Sequence, residues 1–332
     1  RRCSVADAYL SPALDRANLT VVTGAHITRV ALEGTKAVGI DYVVGSEAYR
    51  ALASTETVLA AGAIGSPHIL LCSGIGPADE LEQIGIKPAL DVQGIGRNLL
   101  DHIARPRIDL VINEPEKFGF DTPSRKEAIA RFESTRTGPF ASLQIDVGAF
   151  VRTRQSDAYP SVQLLAGLTF AERMRHTTPP GLSLSGYVCR SQSKGTVRLA
   201  TSSPFDRPLI DPNYFADADD LDRHVELVEF NMAIANHKVF DQVRDRVSAP
   251  SPNRNDIVAA IRSQASTTWH QSSTCRMGID DTAVVGPDLR LKGVERLRIC
   301  DASILPTMVS GNLNAPTVMV AEKGADLIRA SA

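Results

Sequence analysis

The chain has 332 residues, of which 43% are hydrophobic and 22% charged, and its formal net charge is −2. That size and composition allow a sizeable core, built as one large domain or two interleaved ones, and the absence of any basic block or acidic tail excludes nucleic acid and anionic membrane as expected partners. No apolar run reaches the ~18 residues of a membrane helix, so no membrane span is expected, and the start Arg1-Arg2-Cys3-Ser4, with no apolar signal region and no initiator Met, reads as the interior of a longer polypeptide.

Asn18 to Val22 reads as a short strand ended by Thr23-Gly24. Ile27 to Leu32 and Lys36 to Val44 read as two more, with Glu33-Gly34 as the turn between them. Glu56 to Ala61 is a nearly continuous apolar run, the pattern of a strand covered on both faces. It runs into Gly62-Ala63-Ile64-Gly65 and then Ser66-Pro67, a helix-start pattern, which places a helix over His68 to Ser73. Strand, glycine turn and helix form the local grammar of a nucleotide-binding α/β unit.

From Arg105 onward the character changes. Arg107 to Ile112 and Val147 to Val151 read as strands flanking a charged helix around Arg125 to Thr135. Between Ser161 and Leu199 strands dominate, and several in succession imply an antiparallel sheet. Asp219 to Ala235 is helical, with apolar residues at Leu221, Val225, Leu227, Val228 and Met232, and Asn255 to Ala265 is a second helix. Leu297 to Cys300 reads as a strand, and Ala315 to Ala330 as a long helix. The sheet-rich middle is framed by nucleotide-domain elements, so the fold class is mixed α/β (α+β). A partial Rossmann-like domain (1–104) is interleaved with an antiparallel-sheet substrate domain (105–266), and 267–332 returns to the first. The five cysteines, Cys3, Cys72, Cys189, Cys275 and Cys300, are odd in number and widely spaced. They imply no disulfide framework and no zinc site, and read as buried small hydrophobes in a reducing, cytoplasmic compartment.

Three segments carry chemistry. In Gly62-Ala-Ile-Gly-Ser-Pro-His-Ile-Leu-Leu-Cys-Ser-Gly-Ile-Gly76 the glycines let a helix start close against a strand end, with backbone N–H groups left for an anion or a cofactor edge. In Thr267-Thr-Trp-His-Gln-Ser-Ser-Thr-Cys-Arg-Met-Gly278 a histidine beside Trp suits a general base whose burial keeps the imidazole neutral; the same features also describe a core histidine bonded to a carbonyl. In the third segment Asp301 ends an apolar strand, and Asn312 and Asn314 precede Pro316 at a helix start, where either could simply cap the helix.

As whole strings, these segments resemble the glucose-methanol-choline (GMC) oxidoreductases. Gly62, Ala63, Ser66, Pro67, Ile69, Leu70, Ser73, Gly74, Ile75 and Gly76 match that family's second signature. Gly94-Ile-Gly-Arg-Asn-Leu-Leu-Asp-His102 and Leu19 to Val30 resemble its flanking stretches. The resemblance covers the chain from start to end and implies FAD as cofactor and a small-molecule alcohol as substrate, oxidised to an aldehyde or ketone by hydride transfer to the flavin. O2 or a quinone would be the final acceptor. It assigns His270 as the catalytic base and Asn312 as the second catalytic residue. Ile27, Ala61, Gly62, Trp269, Asp301, Ala302, Asn314, Pro316 and Thr317 are assigned to the cofactor, and no residue to a metal. The Trp269-His270 pair is similar to oxidases of furanic and aromatic primary alcohols, and the chain as a whole to choline dehydrogenase-like and hydroxymethylfurfural oxidase-like members. Gln271 stands where Pro is usual, and the Gly-x-Gly-x-x-Gly unit that grips the FAD pyrophosphate is not in this sequence. An N-terminal FAD-binding segment, possibly as a separate chain, is therefore expected as a partner. Two other readings stay open here: a flavin-containing hydroxynitrile lyase using the same histidine, and a truncated chain that turns nothing over.

Overall fold

A computed structural model describes residues 3–104, 106–114, 125–141, 145, 147–168 and 181–331. Strands β1 (Ala25–Glu33) and β2 (Lys36–Val44) pair antiparallel, as the sequence implied, around Gly34, whose φ of +58° favours glycine. A third strand, β3 (Glu47–Leu52), occupies the other edge of β2. All of its residues are exposed, so no alternation marks it in the sequence. Asn18 to Val22 is not a strand. Both edges of β2 are already taken by β1 and β3, and Val21 and Val22 stand 47% and 54% exposed.

The apolar run after Glu56 forms β4 (Thr57–Leu59), paired in parallel with β16 (Leu297–Ile299) across most of the chain length. Helix α1 spans Gly62–Cys72 and so begins before the position that Ser66-Pro67 marked. Pro67 lacks an N–H and leaves the carbonyl of Ala63 without its helical partner. The hydroxyl of Thr274 donates to that carbonyl at 2.6 Å. Ser66, rather than capping, donates to the carboxylate of Asp301. Tertiary bonds thus supply what the local pattern withholds. Helix α2 (Ala78–Gln83) separates β5 (Ile75–Gly76) from β6 (Leu90–Asp91), which pair in parallel. One core joins these elements to the C-terminal part of the chain through Leu70, Ile75, Ile95, Val284, Leu297 and Ile299.

The middle of the chain forms a five-stranded antiparallel sheet in the order β14 (Arg244–Ser248), β8 (Ile108–Ile112), β11 (Gly181–Val188), β10 (Val162–Leu168), β9 (Val147–Val151). Four of these strands are apolar enough to be legible; β14, Arg-Asp-Arg-Val-Ser, is not. Helix α3 (Arg125–Thr135) lies where the charged helix was expected, and Arg105, the expected start of the middle unit, is outside the described residues. Helix α4 (Ala218–Ala235) is capped by the Asp217 side chain, which accepts from Asp219 N, and buries Val225, Leu227 and Val228. It packs on β11, β8 and helix α5 (Arg254–Gln264). Ile103, Ile108, Leu184, Val225, Val228, Ile257 and Ile261 form a second core there.

The remaining strands form the short ladder of β12 (Thr196–Arg198) with β13 (Leu209–Asp211) and the ladder of β7 (Ile103–Ala104) with β15 (Ser266–Thr267), and helix α6 spans Asn314–Ser331. No described helix is long and apolar enough to cross a membrane. Cys189 and Cys275 are buried and Cys72 and Cys300 half-buried, whereas Cys3 is exposed and departs from the buried-hydrophobe reading. Cys3 precedes the first packed element, so no core covers it.

Candidate active site

The ladder of β7 with β15 decides the geometry. By pairing Thr267 with Ile103 it sets the histidine before β7 beside the residues after β15. The carbonyl of His102 accepts from Thr268 N at 3.1 Å and from Thr268 Oγ1 at 2.8 Å. The Nδ1 atoms of His102 and His270 then lie 2.9 Å apart, and His270 Nδ1 is 3.1 Å from Thr268 Oγ1. The backbone N–H of His270 donates to Asp101 Oδ1 at 3.1 Å, and the Tyr214 hydroxyl donates to Asp101 Oδ2 at 2.7 Å. His102 is buried, its ring stacked on Tyr187 at 4.2 Å, and its Nε2 lies 3.0 Å from each of the carbonyl oxygens of Cys189 and Val309. The contact to Val309 brings the loop leading to Asn312 against this pair. Asn312 Oδ1 accepts from Gln163 Nε2 on β10 at 3.3 Å.

Electrostatics follow from burial. His270 is half-buried, and desolvation pulls its pKa below the ordinary histidine value, opposed by the charge of Asp101. Desolvation lowers His102 further, to about 4, against the raising effect of its carbonyl bonds. Burial pushes the Asp101 carboxyl up, opposed by its hydrogen bonds. His102 is therefore neutral near pH 7. Its folded pKa lies below the ordinary 6.5, so the unfolded chain takes up its proton first. The corresponding stability is full above pH 6.5 and is lost as pH falls toward 4, by about 3 kcal/mol. Urea midpoints across that interval should show the loss, and His102→Gln should flatten the slope. An equal slope in the variant would refute the assignment.

The cofactor assignments fall into two groups. Ile27 and Ala61 line a cleft of about 470 Å3 beside β4, along with Gly39, Ala53 and the buried Thr57, whose hydroxyl has no protein partner. Gly62, with φ of +79°, has open space where a side chain would stand. Its N–H is not free for an anion, however, because it donates to Asp301 Oδ2 at 3.0 Å. Asp301 also accepts from Ser66 Oγ at 2.5 Å and from Ser303 N at 2.7 Å, so this buried carboxylate clamps the start of α1 to the end of β16. Ala302 is buried, and its carbonyl accepts from Ser273 N at 3.2 Å. Trp269, by contrast, is 80% exposed at a positive φ of 64°, next to His270. Asn312 and Asn314 are exposed, and Pro316 and Thr317 sit in the first turn of α6, where Thr317 Oγ1 donates to the Leu313 carbonyl at 2.9 Å. Sequence reasoning did not single out His102, Asp101 or Gln163. The adjacent Asp101-His102 pair, directly after apolar Leu99-Leu100, was the available signal for the first two.

Two sequence models described as GMC oxidoreductase match this chain, an N-terminal one over residues 1–104 and a C-terminal one over residues 191–321. The chain belongs to the GMC oxidoreductase family. It is 36% identical over 345 aligned residues to the mitochondrial choline dehydrogenase of Homo sapiens, covering 99% of this chain and 57% of that protein. To the alcohol dehydrogenase [acceptor] of Pseudomonas putida it is 33% identical, covering 99% of this chain and 61% of the relative. Among solved structures, pyridoxine 4-oxidase from Mesorbium loti aligns with a TM-score of 0.84 at 28% identity, covering 99% of this chain and 62% of that one. Formate oxidase of Aspergillus oryzae aligns with a TM-score of 0.86 at 24% identity over 96% of this chain and 62% of its own, a likeness of fold. This GMC chain thus spans less than two thirds of each of these relatives.

Proposed function

We propose that this GMC chain is the alcohol-activating part of an FAD-dependent oxidoreductase that converts a small-molecule alcohol to an aldehyde or ketone, with O2 or a quinone as final acceptor. The observation that carries the reading is His270: a half-buried, neutral imidazole held by its backbone to Asp101 and by its ring to His102, in a chain of this family. FAD, when bound, supplies the acceptor for the carbinol hydride. Ile27, Ala61 and Gly62 fit its edge, since the cleft beside β4 is open there and keeps an unpartnered hydroxyl at Thr57. Trp269, Ala302, Asn314, Pro316 and Thr317 would complete its surroundings. Asp301 would hold Gly62 and the start of α1 in place, as its bonds to Gly62, Ser66 and Ser303 already do.

His270 takes the hydroxyl proton, because an alkoxide releases hydride far more readily than an alcohol. Asn312 holds the same oxygen: with Oδ1 engaged by Gln163, its Nδ2 is the group left to donate. The two cores support residues 1–104 and 267–332 as the cofactor-binding unit and 105–266 as the substrate unit. The relatives' names indicate candidate substrates, choline for one and pyridoxine for another.

Separate asparagine variants test the assignment. In the holoprotein, Asn312→Ala should slow anaerobic flavin reduction by about 10²-fold or more while FAD stays bound. Asn314→Ala should chiefly weaken FAD retention or shift its visible spectrum. Indistinguishable variants would mean that both residues only shape the start of α6.

A further inference from the structure

The contact between His102 and His270 joins two ring nitrogens at 2.9 Å, so one must carry the hydrogen and the other the lone pair. The surroundings decide which. Nε2 of His102 faces two carbonyl oxygens, those of Cys189 and Val309, each at 3.0 Å. Carbonyls only accept, so Nε2 of His102 is the protonated nitrogen. A second hydrogen on the same ring would make it a buried cation, which desolvation opposes. Nδ1 of His102 is therefore the lone pair, and Nδ1 of His270 donates to it. Thr268 agrees independently. Its single hydroxyl hydrogen goes to the His102 carbonyl at 2.8 Å, so toward His270 Nδ1, at 3.1 Å, its oxygen can only accept. Two acceptors thus converge on one ring N–H.

We propose that His102 is a positioning residue that fixes the tautomer of His270, leaving Nε2 of His270 as the lone pair that receives the substrate proton. The proposal rests on the reading of His270 as the base. When the hydroxyl proton moves to Nε2, His270 becomes an imidazolium whose Nδ1–H remains on His102. A neutral histidine thereby takes the orienting place that a carboxylate holds in a Ser-His-Asp triad. Asp101 does not fill that place: it accepts from the backbone N–H of His270, not from its ring, and from Tyr214. The other titratable groups facing the pair are Tyr187, stacked on His102, Cys189 at the end of β11, and His224 on α4.

The test is the tautomer itself. Long-range proton–nitrogen correlation spectra of the holoprotein labelled with 15N-histidine should show His270, assigned by its disappearance in H270Q, protonated at Nδ1 and bare at Nε2. His102 should show the reverse. His270 protonated at Nε2 in the wild type overturns the proposal, whatever the activity, and this spectrum needs no His102 variant to fold. In H102L, which removes the ring acceptor and leaves Thr268 as the one acceptor still facing Nδ1, the Nε2-protonated form of His270 should grow at the expense of the Nδ1-protonated form. The kcat should fall between about 10- and 10⁴-fold, with KM within about twofold and the acid limb of the kcat/KM profile displaced. An unchanged His270 spectrum in a folded H102L protein would also overturn it, because a merely structural histidine moves stability and not the tautomer. Should the spectra agree while H270A reduces flavin at the wild-type rate, the base reading fails and the tautomer assignment survives.

Discussion

Replacing His270 with Ala in the holoprotein should slow anaerobic flavin reduction by an alcohol by about 10²–10⁴-fold, the usual worth of a positioned general base. FAD should stay bound, because the groups assigned to hold it, around β4, α1 and α6, do not depend on the imidazole. The pH profile of the wild type should carry the same signature. Burial lowers the pKa of His270, so the unprotonated base persists through neutral pH and activity is lost only on acidification through that lowered value. Stopped-flow bleaching of the flavin measures both, and wild-type reduction kinetics in His270→Ala would remove the residue from the mechanism.

The largest stability effect should come from Glu56→Ala. Arg298, in the short strand β16, is 1% exposed. Its Nε donates to both carboxylate oxygens of Glu56 at 2.9 Å, its Nη2 donates to Ser331 Oγ at 2.7 Å, and its Nη1 donates to the Asp288 carbonyl. This one guanidinium joins the residue before β4, strand β16 and the end of α6. Removing the carboxylate leaves a buried cation without a counter-ion, at a cost of about 3–5 kcal/mol. Exchanging both partners for apolar residues, Glu56→Leu with Arg298→Met, should cost much less. Urea unfolding of the holoprotein separates the two cases; a loss below about 1 kcal/mol for Glu56→Ala would show that solvent reaches the pair.

The parts of this molecule that were legible in the sequence are those dictated by local chemistry. The turn at Gly34, the apolar runs of β10 and β11 and the apolar face of α4 all follow from residue type and period. What was not legible depends on partners distant in the chain. Asn18 to Val22 has strand composition yet pairs with no described strand, and β14 has none of that composition yet completes the sheet on β8. The start of α1 shows the same limit, since Thr274 and Asp301 lie far downstream of Pro67 and Ser66. For the candidate site, the motifs point to His270 and Asn312 as candidates. The partnership of His270 with His102 could not be read from them, because it arises from the two-residue ladder of β7 and β15.

The proposed role of this GMC chain, in an enzyme that oxidises alcohols through bound FAD, can be checked by mixing the holoprotein anaerobically with choline, pyridoxine, benzyl alcohol and hydroxymethylfurfural, while following the flavin's visible absorption and the products together. At least one of these alcohols should bleach the flavin and yield one equivalent of aldehyde per flavin reduced. Product formed with the flavin spectrum unchanged, or a flavin that none of them bleaches, would contradict it.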